Sequence, residues 1–333
     1  MIQRQNQDKS SRGREHRSLR YTIPILFPIL TIWLIGCSSS SQSDDEGRYP
    51  LWKIEGKQNT VWILGSVHML PERAHPLPKE FEEAYTKADR VVFEVNLDTK
   101  NMEGMMMGMM SEAMLPMGET LEDVLKPETW ELLEPRLDAL AESVGEAISQ
   151  QMGSNLPING GMVKTMLMQM EPWFVGVMLQ QTEADMKDYK AELGVDLYYA
   201  NKAKEDGKET SGLETIEDQM GFLKEMAGED TDLFIRTMLE QVAPEADMFD
   251  NLVDAWLKGD LEGLEHQLND SMKETPGMRD LLLVQRNKKW VPQIEDFLND
   301  EEDYLVIVGA GHLVGDDSVI DLLRKRGVKV KRI

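Results

Sequence analysis

Val61-Trp62-Ile63-Leu64-Gly65-Ser66-Val67-His68 and Tyr304-Leu305-Val306-Ile307-Val308-Gly309-Ala310-Gly311-His312 follow one pattern: a short apolar run, a glycine turn, then a histidine. Apolar runs of this length fit strands covered on both faces. In open α/β sheets, ligands bind just beyond the carboxyl ends of such strands. Two strands can therefore deliver His68 and His312 to one place, although the two residues stand at opposite ends of the sequence.

A third strand-like run, Val91-Val92-Phe93-Glu94-Val95, carries a charge among apolar residues. Burying a carboxylate costs free energy unless it is paired or bound to a metal. Two neutral imidazoles and one carboxylate form a common ligand set for a divalent ion such as Mn²⁺, Co²⁺ or Zn²⁺, with a position left for water. Water held by such an ion ionises near neutral pH and attacks carbonyl carbon. The same residues also admit a plainer reading, in which each histidine is a hydrogen-bonded turn residue and Glu94 faces solvent. No H-E-x-x-H helix is present.

Outward from these runs the chain reads as α/β. Leu51–Ile54 and Val61–Leu64 flank the turn Glu55-Gly56-Lys57-Gln58-Asn59 as a hairpin. Pro78–Ala88 reads as a helix with proline near its start. Residues from about 100 to 205 read as a long helical insertion broken near Pro116, Pro127, Pro157 and Pro172. Glu209–Leu213 is a short strand, and 214–300 returns to helix. The chain closes as strand, helix (about Asp317 to Arg326, stopped by Gly327) and strand Val328-Lys329-Val330. The expected architecture is a central, mostly parallel or mixed sheet with flanking helices and that insertion, spanning 49–333.

The front segment reads differently. Residues 1–20 are rich in arginine, and Tyr21–Ile35 is apolar but short for a transmembrane span and interrupted by Pro24 and Pro28. It ends in Leu34-Ile35-Gly36-Cys37, followed by serines. Residues 1–37 look like a bacterial lipoprotein signal with its lipobox. That resemblance implies cleavage before Cys37 and lipidation of its sulfur, an anchor that works by burying methylenes. Ser38 then implies outer-membrane sorting, facing the periplasm, in a Gram-negative envelope. Residues 38–48 suit a flexible tether. Cys37 is the single cysteine, so disulfides, thiolate nucleophiles and cysteine-bound metals are excluded from the rest of the chain. Sixty acidic against 36 basic residues give a net charge of −24, which disfavours nucleic acid and anionic headgroups as partners.

Taken together, the motifs resemble the TraB/GumN family, related to the Tiki metalloproteases and more distantly to erythromycin-esterase-like and ChaN-like proteins. The resemblance rests on Gly65 with His68, on Glu94, and on Gly309-Ala310-Gly311-His312-Leu313 with Gly315. Further matches are Leu51-Trp52-Lys53-Ile54, Gly194-Val195-Asp196, Leu213-Glu214-Thr215 with Gln219, Trp256 with Gly259-Asp260, and Arg286-Asn287. It covers roughly 49–333 and implies that His68, Glu94 and His312 line the active site. In Tiki-like members the implied activity is metal-dependent peptide hydrolysis. Distant relatives imply ester hydrolysis or haem binding.

Arg286 is the candidate to bind a carboxylate or stabilise an oxyanion, with a structural ion pair as the alternative. Glu214 is a further ligand or base, or an acid that favours a helix dipole. Asp196 is a cap, a partner of a histidine, or a ligand. Trp256 reads as packing, His75 as a surface residue or rim contact, and His266 has no assigned role. The methionine-rich stretch Met102–Met117 reads as a peptide-contacting flap, plain packing, or a copper-handling segment. The leading expectation is a lipid-anchored, metal-dependent hydrolase acting on a peptide or small-molecule substrate. Two alternatives remain: a non-catalytic peptide-, metal- or tetrapyrrole-binding protein, and a metal-free esterase.

Overall fold

The computed structural model describes residues 49–96, 110, 112–151, 159–241, 248–270 and 277–333. The signal segment with Cys37, the tether, and most of the methionine-rich stretch lie outside the described residues.

Six strands form one mixed sheet: β1 (Leu51–Glu55), β2 (Thr60–Ser66), β3 (Arg90–Val95), β4 (Glu209–Glu214), β5 (Tyr304–Gly309) and β6 (Val330–Arg332), in the order β4-β3-β5-β2-β1-β6. The four strands β4, β3, β5 and β2 are mutually parallel. β1 pairs antiparallel with β2 as the expected hairpin, and β6 closes the far edge antiparallel to β1. The last strand begins two residues later than the sequence suggests, after Gly327 ends its helix at φ +85. Register places Ser66 opposite Gly309 and Val95 opposite Glu214, so all four parallel strands end at the same sheet edge.

The period of two along β3 sends Val91 and Phe93 to one face and Val92 to the other. The first face is covered by helices Lys79–Lys87, Val195–Asp206 and Met248–Lys258, through residues such as Phe81, Tyr199 and Trp256. The second face is covered by Gln285–Phe297 and Val319–Lys325, through Trp290, Ile294 and Leu323. Glu94, one residue before the strand's end, lies on the Val92 face.

A separate apolar cluster holds a helical lobe together. It joins Leu133, Leu137 and Trp173 from the stretch between β3 and β4 to Phe234, Met238 and Leu281 from beyond β4. The lobe therefore draws on two stretches of chain. Among the described residues no helix is long and apolar enough to cross a membrane.

Candidate active site

His68 stands two residues past β2, on a turn clamped from two sides. Trp256 Nε1 donates to the Gly65 carbonyl at 2.8 Å, and Val195 N donates to the Val67 carbonyl at 3.0 Å. The helix beginning at Val195 comes so close that a Cβ on Gly194 would meet the His68 carbonyl, which is why glycine stands there. That approach brings Asp196, in the helix's first turn, against the ring. His68 Nδ1–H donates to Asp196 Oδ2 at 2.7 Å, and Ser66 Oγ donates to Oδ1 at 3.0 Å. Nε2 of His68 is left facing the sheet edge.

His312 lies in the short turn after β5 and is buried. Asn287 fixes its tautomer. The Asn287 amide nitrogen donates to the Asp317 carbonyl at 2.9 Å, which leaves its oxygen to accept from His312 Nδ1 at 2.7 Å. His312 Nε2 is then an acceptor. Glu94 receives the Gly309 N–H on Oε1 at 2.7 Å and the Gln219 amide on Oε2 at 3.2 Å. An ideal Cβ on Gly309 would lie 3.2 Å from Glu94 Oε1, 3.6 Å from His312 Cδ2 and 3.7 Å from His68 Nε2. The fold thus brings all three sequence-derived side chains around one small space beside Gly309.

Arg286 fills the other side of this cluster. A π-helical turn, Asp280–Val284, directly precedes it, with Gln285 N donating to the Asp280 carbonyl. Such a turn adds a residue and re-aims the helix face that follows. Arg286, Asn287 and Trp290 then all point to the strand ends. Each guanidinium N–H has a protein acceptor. Nε donates to Glu214 at 3.1 Å, and Nη2 to Glu94 Oε2 at 2.6 Å and Glu214 Oε1 at 2.5 Å. Nη1 donates to the Leu282 carbonyl and to His312 Nε2, both at 3.1 Å. Glu214 also accepts Trp290 Nε1 at 3.1 Å, and the Trp290 ring packs 4.4 Å from the His312 ring. The structural ion pair is therefore the role the geometry gives Arg286, and Glu214 is its counter-charge. The helix after Glu214 starts on a Thr215–Asp218 capping box, which places Gln219 one turn on, against Glu94.

Of the other flagged residues, His75 is partly buried, with Nε2 on the Leu193 carbonyl at 2.8 Å. Ser66 and Trp290 were not singled out by sequence. Nothing in an apolar run or a basic helix announces a partner far along the chain.

The charges divide the two histidines. Burial lowers the His68 pKa, but the charge and hydrogen bond of Asp196, with Glu94, outweigh it and raise the value to about 9. Burial and then the Arg286 charge push His312 down to about 3. Glu94, which burial would raise, is held at about 2 chiefly by Arg286. Burial raises Glu214 against the pull of Arg286. The sign follows from linkage. His68 stabilises the fold fully below its unfolded value of 6.5, and this is lost as pH rises through about 9. His312 is held neutral, so stability falls as pH drops from 6.5 towards about 3. Metal-free protein should therefore unfold at its highest temperature near pH 6.5, with Asp196→Asn flattening the alkaline limb. A melting curve flat from pH 6.5 to 9 would contradict the His68–Asp196 assignment.

The donor types fit a divalent ion. Each histidine has its Nδ1 committed to an orienting partner and its Nε2 turned inward, as metal-bound histidines do. Among the described residues, no group of three or more His, Cys, Asp or Glu side chains is spaced to hold an ion as they stand. His312 Nε2 is engaged by Arg286 instead.

A mostly parallel α/β sheet with a histidine pair and a buried carboxylate at its carboxyl edge defines the class of this protein. The chain belongs to the TraB/PrgY/gumN family, whose profile matches residues 50–332. It is similar to the uncharacterised protein YbaP of Escherichia coli (strain K12), 25% identical over 79% of this chain and 87% of that protein. It is also similar to metalloprotease TIKI1 of Danio rerio, 22% identical over 89% of this chain and 65% of that protein. The metalloprotease TIKI homolog of Nematostella vectensis is 23% identical over 85% of this chain and 66% of that protein. No solved structure matches the chain.

Proposed function

We propose that this protein is a metal-dependent hydrolase that cleaves peptide bonds. The observation that carries the reading is the convergence of His68 Nε2, Glu94 Oε1 and the His312 ring on the space beside Gly309. The similarity to proteins named metalloproteases supports it. His68, Glu94 and His312 would hold the ion. A bound Mn²⁺, Co²⁺ or Zn²⁺ supplies an ionisable water and polarises a carbonyl. Asp196 and Asn287 keep both Nδ1 protons in place and both Nε2 atoms directed inward. The Gly309 N–H holds Glu94 Oε1 in position. His68, with its side chain 16% exposed against 6% for Glu94 and 5% for His312, marks the side from which substrate enters.

The anchoring read from Leu34-Ile35-Gly36-Cys37 belongs to the proposal. The protein would be tethered to the cell envelope by lipid on Cys37, and Cys37→Ala should leave the membrane fraction.

The test is cleavage of a peptide library by purified protein with each metal, read by mass spectrometry. Metal-dependent cleavage, lost with chelator, is expected. No cleavage with any metal, with a peptide or tetrapyrrole retained, would replace the reading with a binding protein. A metal-free esterase is the second reading, and one observation favours it: Asp196 orients the His68 ring at 2.7 Å and leaves its Nε2 toward the space beside Gly309. An imidazole held in this way suits acid–base work. Chelator-resistant ester turnover would select it.

A further inference from the structure

We propose that Arg286 is an internal competitor of the divalent ion, holding the places at His312 and Glu94 that the ion would take and so setting how weakly it binds. The inference rests on the metal reading above. His312 Nε2 has one lone pair, and it accepts from Arg286 Nη1 at 3.1 Å. It cannot serve the guanidinium and an ion together. Glu94 Oε2 is likewise taken by Nη2 at 2.6 Å.

A lysine or histidine in this position could yield by losing a proton. A guanidinium stays charged and yields only by moving. Glu214 gives it somewhere to move. Nε and Nη2 both bond Glu214, and Nη1 bonds the Leu282 carbonyl, so Arg286 can release His312 and still be held. Its charge remains beside the ion after the move and repels it. The site is thus built with its own cation in place, and an ion from solution must displace that cation.

The direct test titrates Co²⁺ into the full-length chain and follows the visible absorption of the bound ion. Arg286→Met alone changes net charge, so the informative variant is Arg286→Met combined with Glu214→Gln. It removes one positive and one negative group and leaves the charge of the cluster as it was. The double variant is expected to bind Co²⁺ at least about tenfold more tightly, the scale of losing or gaining a partner around a metal ligand. Arg286→Lys, which keeps the charge but has fewer donors to reach His312, is expected to lie between. Equal or weaker binding in the double variant, with wild type binding Co²⁺, would overturn the competition and leave the metal site standing. No Co²⁺ binding in either protein would overturn the metal reading itself. If the double variant does not fold, Arg286→Lys decides alone: Co²⁺ binding no tighter than wild type overturns the competition.

Discussion

Arg286→Met should lower the unfolding free energy by about 3–5 kcal/mol, the cost of leaving buried charge without its partner. Glu94 and Glu214 are both buried, and both bond the same guanidinium. Without it two buried carboxylate side chains are left to repel each other. Urea unfolding at neutral pH measures the loss. Adding Glu214→Gln should recover most of it, because one carboxylate then remains and Gly309 N–H and Gln219 still bond it. A single variant as stable as wild type would mean that the guanidinium contributes nothing net to the fold.

Gly309→Ala should fold and lose activity. The backbone at Gly309, with φ −51 and ψ 135, is open to alanine, so no conformational strain arises. The new methyl would instead enter the space shared by Glu94, His312 and His68, at 3.2 Å from Glu94 Oε1. Glu94 must then give by a few tenths of an ångström in a packed surrounding. A misplacement of about 1 Å at a reacting centre costs about a hundredfold in rate, so this smaller one should cost roughly tenfold or less. Metal-dependent peptide cleavage is the readout, with the melting temperature as the control. Full activity in Gly309→Ala would place the chemistry elsewhere.

The strands were legible because their signal is local. An apolar run followed by glycine and histidine reports burial and a turn without reference to the rest of the chain, and β2 and β5 lie where those runs predict, as β3 does where Val91–Val95 predicts. The mixed α/β sheet and the helical stretches follow from the same periodicity. What Arg286 does was not legible. Its acceptors lie 72 residues away at Glu214 and 192 away at Glu94, and sequence alone leaves an oxyanion role and an ion pair equally open. The π-helical turn that aims it packs Leu281 and Leu282 into the helical lobe, and no residue at 280–284 announces it in the sequence. The sequence shows a helical insertion over about 100–205 and further helix over 214–300 but not that the two pack together, because a periodic helix shows that it has an apolar face and not which helix covers it. Asp196 was legible only as one of three alternatives. The close approach at Gly194 gives it the role of orienting His68.

His68 and His312 are proposed to serve one metal ion. The most direct measurement is metal content by mass spectrometry on purified wild type, His68→Ala and His312→Ala after reconstitution with Mn²⁺, Co²⁺ and Zn²⁺. One ion per wild-type chain is expected, and its loss in both variants. No ion in wild type, or an ion kept equally by both variants, would contradict it.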